Sequence, residues 1–174
     1  MPAVRRIIVG VHGSLGNLQA LRYAADEARE RCVPLMAVTA WTPPGGDLAE
    51  RRNSSPYLRK IWREAAWERL WGAFNDGLGG VPADLQVESR AVRGETGPVL
   101  VEVADQPDDL LIIGTGRRVG MGRLFGRSVS RYCLAHAHCP VLAVPPSRLM
   151  EEMGHGLRSW HWRHALSSDV PGLS

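Results

Sequence analysis

Apolar residues in this chain fall into short runs separated by stretches of helical period. "RRIIVGVH" (5–12) is a β-branched run followed by "GS", the pattern of a buried strand and a turn. In "NLQALRYAADEARERC" the apolar Leu18, Leu21, Ala25 and Ala28 recur at helical spacing, and Asn17 is the expected cap. "PLMAVTAW" (34–41) reads as a second strand, and "TPPGGDLAERRNSSP" as a polar loop. A long helix is expected from about Tyr57 to Phe74, with "GLGG" stopping it. "LQVESRAV" (85–92) alternates and predicts a third strand, and "GPVLVEVADQ" a short helix with Pro98 in its first turn. "DDLLIIGT" is a fourth strand, "SVSRYCLAHA" a helix, and "PVLAVP" a fifth strand.

Strands and helices therefore alternate, which implies an α/β fold: a doubly wound, five-stranded parallel sheet between helices, a Rossmann-like three-layer sandwich. Residues 5–11 and 109–113 are the expected central strands. Sheets of this kind bind ligands beyond the carboxyl ends of their strands, where the strand order reverses. "HGS" after the first strand and the glycine-rich stretch after the fourth both lie on that edge.

Residues 1–146 form the expected domain. Residues 147–174 are a C-terminal tail, partly helical, with Leu149, Met150, Met153, Leu157 and Trp160 on one side. Those side chains predict a docked helix despite Gly154 and Gly156. The last strand leaves an apolar edge that needs a cover. Pairing with a two-fold mate through Val141, Leu142, Ala143 and Val144 would supply it. Pro140 and Pro145 bracket the strand and limit the pairing.

Composition narrows the function classes. Of 174 residues 44% are hydrophobic and 22% charged, enough apolar content for a core and too little charge for a disordered chain. The net charge of +3 permits anionic partners but does not indicate nucleic acid unless it is concentrated. Three cysteines do not make a disulfide framework, so a reducing cytoplasm is expected. Neither a secretory signal nor a membrane span is expected. Trp62, Trp67 and Trp71 on one amphipathic helix read as packing, not as a base-stacking platform. Cys133, His136, His138 and Cys139 are too closely spaced for the usual zinc motif. They read as a passage from helix to strand, with Cys133 in the core. His161 and His164 read as exposed on a polar face.

The densest chemistry is "GTGRRVGMGRLFGRSVSRY" (114–132), with five glycines, five arginines and no acid. It is not a Walker loop, because Met121 and Arg127 stand where Gly and Lys belong. It is a poor dinucleotide fingerprint, because it follows the fourth strand with one residue too many before its third Gly. "HGSLG" fails as a nucleophile elbow, since His12 stands at the first Gly and leaves Ser14 in a turn. Phe125 is the one aromatic between the arginines, which argues against a nucleic-acid patch. No acid, base and nucleophile converge, so no enzyme is expected.

Together, "IIVGVHGS", "LQALRYAADEA", "DLLIIGTGRR" and "GRSVSRYCLAHAHCPVLAVP" resemble the universal stress protein family over roughly residues 4–146. The resemblance implies five parallel strands, dimerisation through the last strand, and either an ATP-binding or a non-binding type, with no shared reaction. ATP-binding members carry G-x2-G-x9-G-[ST] after the fourth strand. Gly114 matches the first Gly and Ser128 the Ser, but Arg117 and Arg127 replace the other two glycines. Gly116 and Gly126 preserve a nine-residue gap in a shifted frame. His12 stands where those members have Asp. By resemblance, backbone near Ala40 would meet the base, while Gly114 and Ser128, Val129 and Ser130 would meet ribose and phosphates.

Two readings stay open. Arginines strain turns that favour positive φ and fill the space of a phosphate, and His12 cannot hold Mg²⁺ as a carboxylate does. This describes a degenerate loop in a protein that acts through protein contacts. Arginines can also replace backbone donors at a helix N-terminus with charge-assisted bonds, which describes an ATP-binding member with little use for Mg²⁺.

Overall fold

The computed structural model describes residues 3–12, 15–44, 55–115 and 128–146. The tail from 147 onward and residues 116–127 lie outside them, as do Ser14, Gly116, Arg117, Gly126 and Arg127.

Five strands form one sheet: β1 Arg6–Gly10, β2 Leu35–Trp41, β3 Val87–Arg93, β4 Asp109–Gly114 and β5 Val141–Val144. All neighbours pair in parallel in the order β3-β2-β1-β4-β5. β1 is central because it is apolar on both faces; Ile7, Ile8 and Val9 are fully buried. The strand ends one residue earlier than its apolar run, since Val11 pairs only through its N–H, 2.7 Å from the Val38 carbonyl. β5 is an edge strand flanked by Pro140 and Pro145, as its sequence predicts.

Helices cover both faces. α1 (Leu15–Arg31) and α2 (Pro56–Leu78) pack on one side, burying Leu18, Leu21, Leu70 and Phe74 against Ile7, Val9 and Ile112. α3 (Thr96–Val103) and α4 (Val129–His136) cover the other, where Val99, Leu100 and Cys133 meet Ile8, Leu111 and Ile113. The buried Cys133 is the core residue expected.

Three local expectations need correction. Asn17 does not cap α1; it lies inside the helix, and its amide donates to the Gly10 carbonyl instead. α2 runs past Phe74 to Leu78 before Gly79, at φ 74°, accepts the left-handed turn. Of the tryptophans, Trp67 packs on the core, but Trp71 stacks on Trp67 with ring centroids 6.0 Å apart and stays 45% exposed.

At the amino ends of the strands, Arg6 clamps the buried Asp109 through two bonds of 2.8 and 2.7 Å. This pair ties β1 to β4 at the end of the sheet opposite the carboxyl tips of the strands.

Candidate functional site

In a parallel sheet all carboxyl ends share one edge. With order 3-2-1-4-5, the strand order reverses between β1 and β4, and β2, β1 and β4 stand side by side there. The register Val9↔Ile112 and Gly10↔Val38 sets the three tips side by side, with β4 ending at Gly114 and β2 reaching beyond the β1 tip to Trp41.

His12 projects just past β1 and is exposed. The chain between β1 and α1 is short because Asn17, two residues into the helix and buried, reaches back to the Gly10 carbonyl at 2.9 Å. Ala40 is the penultimate residue of β2, half-buried and packed on the cluster under α3 and α4. Gly114 ends β4, paired with Val144, and Thr115 continues the contact by donating its N–H to the Val144 carbonyl at 2.8 Å.

The far wall is the start of α4. Ser128 has extended backbone and its Oγ accepts from the Arg131 N–H at 3.5 Å, so it is the N-cap of α4. Val129 and Ser130 form the first turn and are half-buried. The α4 helix leans on α3 at Gly97, where the Tyr132 ring passes so close that a Cβ would lie 2.9 Å from it. His12, Ala40, Gly114, Ser128, Val129 and Ser130 therefore collect on one edge, from four elements.

Cys133, by contrast, serves the core: burial pushes its thiol up to about 11, so it is neither nucleophile nor metal ligand in its ordinary state. Burial also raises the Cys139 thiol. His136 stacks on Tyr132 with centroids 4.2 Å apart and shares a 2.9 Å hydrogen bond with the Tyr132 carbonyl. No group of three or more metal-ligating side chains occurs among the described residues. No helix among them is long and apolar enough to cross a membrane.

A second basic feature escaped the sequence reading. Trp41, Pro56, Arg59, Lys60, Arg63 and Arg93 line a groove of about 480 Å³ at the tips of β2 and β3. Its residues come from three separate segments, so no linear spacing announces it.

The Universal stress protein family model matches residues 3–145. The chain is similar to universal stress protein Rv2623 of Mycobacterium tuberculosis, with 34% identity over 146 residues, 79% of this chain and 46% of that protein. It is similar to Rv2624c of the same organism at 29% identity, covering 82% of this chain and 49% of that protein. The chain thus spans about half the length of these curated relatives. Among solved structures, a universal stress protein in complex with cAMP aligns with a TM-score of 0.52 and 27% identity, over 83% of this chain and 99% of that one. UspA from Lactobacillus plantarum has a TM-score of 0.63 at 18% identity, over 83% and 99% of the two chains.

Proposed function

The chain belongs to the universal stress protein family, and from that premise we propose that it is a dimeric stress-response protein that works through protein contacts and not through a bound ATP–Mg²⁺ complex. The observation that carries this is His12. It stands exposed at the β1 tip, at the position where the resemblance puts a carboxylate. Without that oxygen ligand the edge loses its natural hold on a hard cation. A triphosphate without its metal would then bring its full charge to the edge. Arg117 and Arg127 replace the glycines that would let backbone approach phosphate.

The dimer is formed by β5 meeting its two-fold mate through Val141, Leu142, Ala143 and Val144. The position of β5 at the sheet edge supports it, as does the half-buried state of Val141, Leu142 and Ala143 in the single chain. No reaction is assigned to the protein. The three unpaired cysteines support a reducing, cytoplasmic setting.

Native mass spectrometry of freshly purified protein tests both halves. The expected species is a dimer without ATP. Co-purified ATP would overturn the first half, and a monomer at micromolar protein the second.

One observation favours a second reading. The 27%-identical relative was solved with cAMP, a ligand with a single phosphate charge. Such a nucleotide needs no metal, so His12 is no obstacle. The Ser128-capped end of α4 would supply its anion contact. Release of a cyclic or monophosphate nucleotide from the purified protein would select this reading.

A further inference from the structure

We propose that the groove between the tips of β2 and β3 and the start of α2 is a second, separate binding site, for a small phosphate-type oxyanion. It does not depend on the reading of the nucleotide edge.

Four of its six lining side chains are cations: Arg59, Lys60, Arg63 and Arg93. None of the six is acidic. Lys60 pairs with Glu64 at 3.7 Å, but both are well exposed, and such a pair is weak and easily exchanged. Arg59 and Arg93 hold interactions of their own. That does not exhaust them, since a guanidinium carries five N–H donors. The remaining donors of Arg59 and Arg93, together with those of Arg63 and Lys60, can give one phosphate several charge-assisted bonds.

The sheet explains why these groups converge. Side chains alternate along a strand. Ala37 and Val87 pack in the cluster under α1 and α2, so Trp41 and Arg93, of matching parity, face that side too. The two residues are direct partners in the β2–β3 register. The start of α2 lies over them, with Pro56 at its first position and Arg59, Lys60 and Arg63 on its next two turns. Ser55 Oγ caps Leu58 N–H at 3.4 Å, so this end of the helix contributes its dipole more than open donors.

Trp41 is the independent observation. The residue is only 8% exposed, and its Nε1 is buried with no hydrogen-bond partner among the described residues. An indole N–H is a donor only, and a buried donor normally has an acceptor. Among the groove's lining groups there are three arginines and a lysine, which donate and never accept. The acceptor that suits all five side chains is an oxyanion. Ala40, the neighbour of Trp41, packs on the opposite face of the sheet. The groove therefore lies toward the α1–α2 face at the tips of β2 and β3, whereas Ala40 packs toward α3 and α4.

Titrate the full chain calorimetrically with inorganic pyrophosphate at low salt. Binding should be seen, and Arg63→Gln with Arg93→Gln should weaken it by ~tenfold or more. Arg63→Lys should retain most of it. Trp41→Phe, which keeps an aromatic ring but removes the N–H, should weaken it by roughly threefold to tenfold. Melting curves establish that each variant is folded, and Arg63 is exposed, so its substitutions leave the core intact. No binding by the parent protein would overturn the proposal. Equal binding by the parent and the double variant would do the same, placing the anion on the 117–131 arginines instead. If Trp41→Phe alone had no effect, the indole's part in the site would be refuted.

Discussion

The buried Asn17 amide donates to the Gly10 carbonyl across 2.9 Å, and so ties the interior of α1 to the end of the central strand. Asn17→Ala should cost ~1–3 kcal/mol, because it removes a hydrogen bond in a buried setting. Asn17→Asp should cost more at neutral pH, since a carboxylate would face the carbonyl oxygen. Part of that excess should return in acid, when the carboxyl can donate. Denaturant melts of both variants at neutral and acidic pH check the order.

This anchor also shows where sequence reading misjudged local detail. Asn before an apolar helical pattern is a good cap in sequence, and only the folded chain brings Gly10 back to meet it. Gly77 presents a similar case. Asn75, Asp76 and Gly77 look like the end of a helix, yet α2 continues through them. Gly77 is buried against Leu18 and Leu21, where a Cβ would lie 3.4 Å from Leu21 Cδ2. The close approach of two helices uses that glycine, and periodicity within one helix cannot reveal it. The central strands and the layers were legible because Ile7 to Val9 and Leu111 to Ile113 are apolar on both faces. The residues of the β1, β2 and β4 tips were legible through resemblance to the family, not through spacing. The basic groove was legible by neither route, because Trp41, Arg63 and Arg93 meet only in the fold.

Gly97 sets the distance between α3 and α4. A Cβ there would meet Tyr132 Cδ1 at 2.9 Å, Cγ at 3.0 Å and Cβ at 3.2 Å. The last of these cannot swing away without moving the α4 backbone. Gly97→Ala should therefore destabilise by ~1–3 kcal/mol and displace Ser128 to Ser130. Amide hydrogen exchange should quicken in residues 129–136 more than in α1. Unchanged exchange across α4 would mean that the Tyr132 ring absorbs the methyl.

Asp109 is 1% exposed and its carboxylate is paired with Arg6 at 2.7 Å. Asp109→Ala should cost at the lower end of ~3–5 kcal/mol, because Arg6 is partly exposed and can recover some water. Neither anion site should change, since this pair lies at the other end of the strands. Chemical denaturation and pyrophosphate titration of the same variant test the two statements separately.

The cysteines should differ in reactivity. Cys32 is exposed, and Cys133 is fully buried with its thiol pushed up to about 11. Iodoacetamide should label Cys32 in the native protein and Cys133 only on unfolding. The pH dependence follows from the same shift. Above the ordinary thiol value near 9 the unfolded chain loses this proton, while the folded chain keeps it until about 11. The unfolded state then binds fewer protons, so stability should fall as pH rises through that window. Cys133→Ala should reduce that slope, leaving the smaller share of Cys139, whose thiol is also raised by burial, at the cost of a small cavity.

Restoring the family's nucleotide pattern separates the two readings of the edge. His12→Asp, Arg117→Gly and Arg127→Gly together would return a carboxylate at the β1 tip and two glycines to the loop. If the loop is degenerate, the parent protein should bind ATP weakly and with little response to Mg²⁺. The triple variant should then bind at least ~tenfold more tightly, since one recovered charged contact is worth ~1.5–3 kcal/mol, and Mg²⁺ should now assist. The reading of the arginines as phosphate ligands predicts the reverse, because removing Arg117 and Arg127 would take away the contacts themselves. cAMP provides the control. It carries one charge and calls for no metal, so its affinity should not respond to Mg²⁺ in either protein. If the parent binds cAMP and the triple variant binds it less well, the arginines serve a single phosphate, and the loop is adapted to a smaller nucleotide instead of having lost the function.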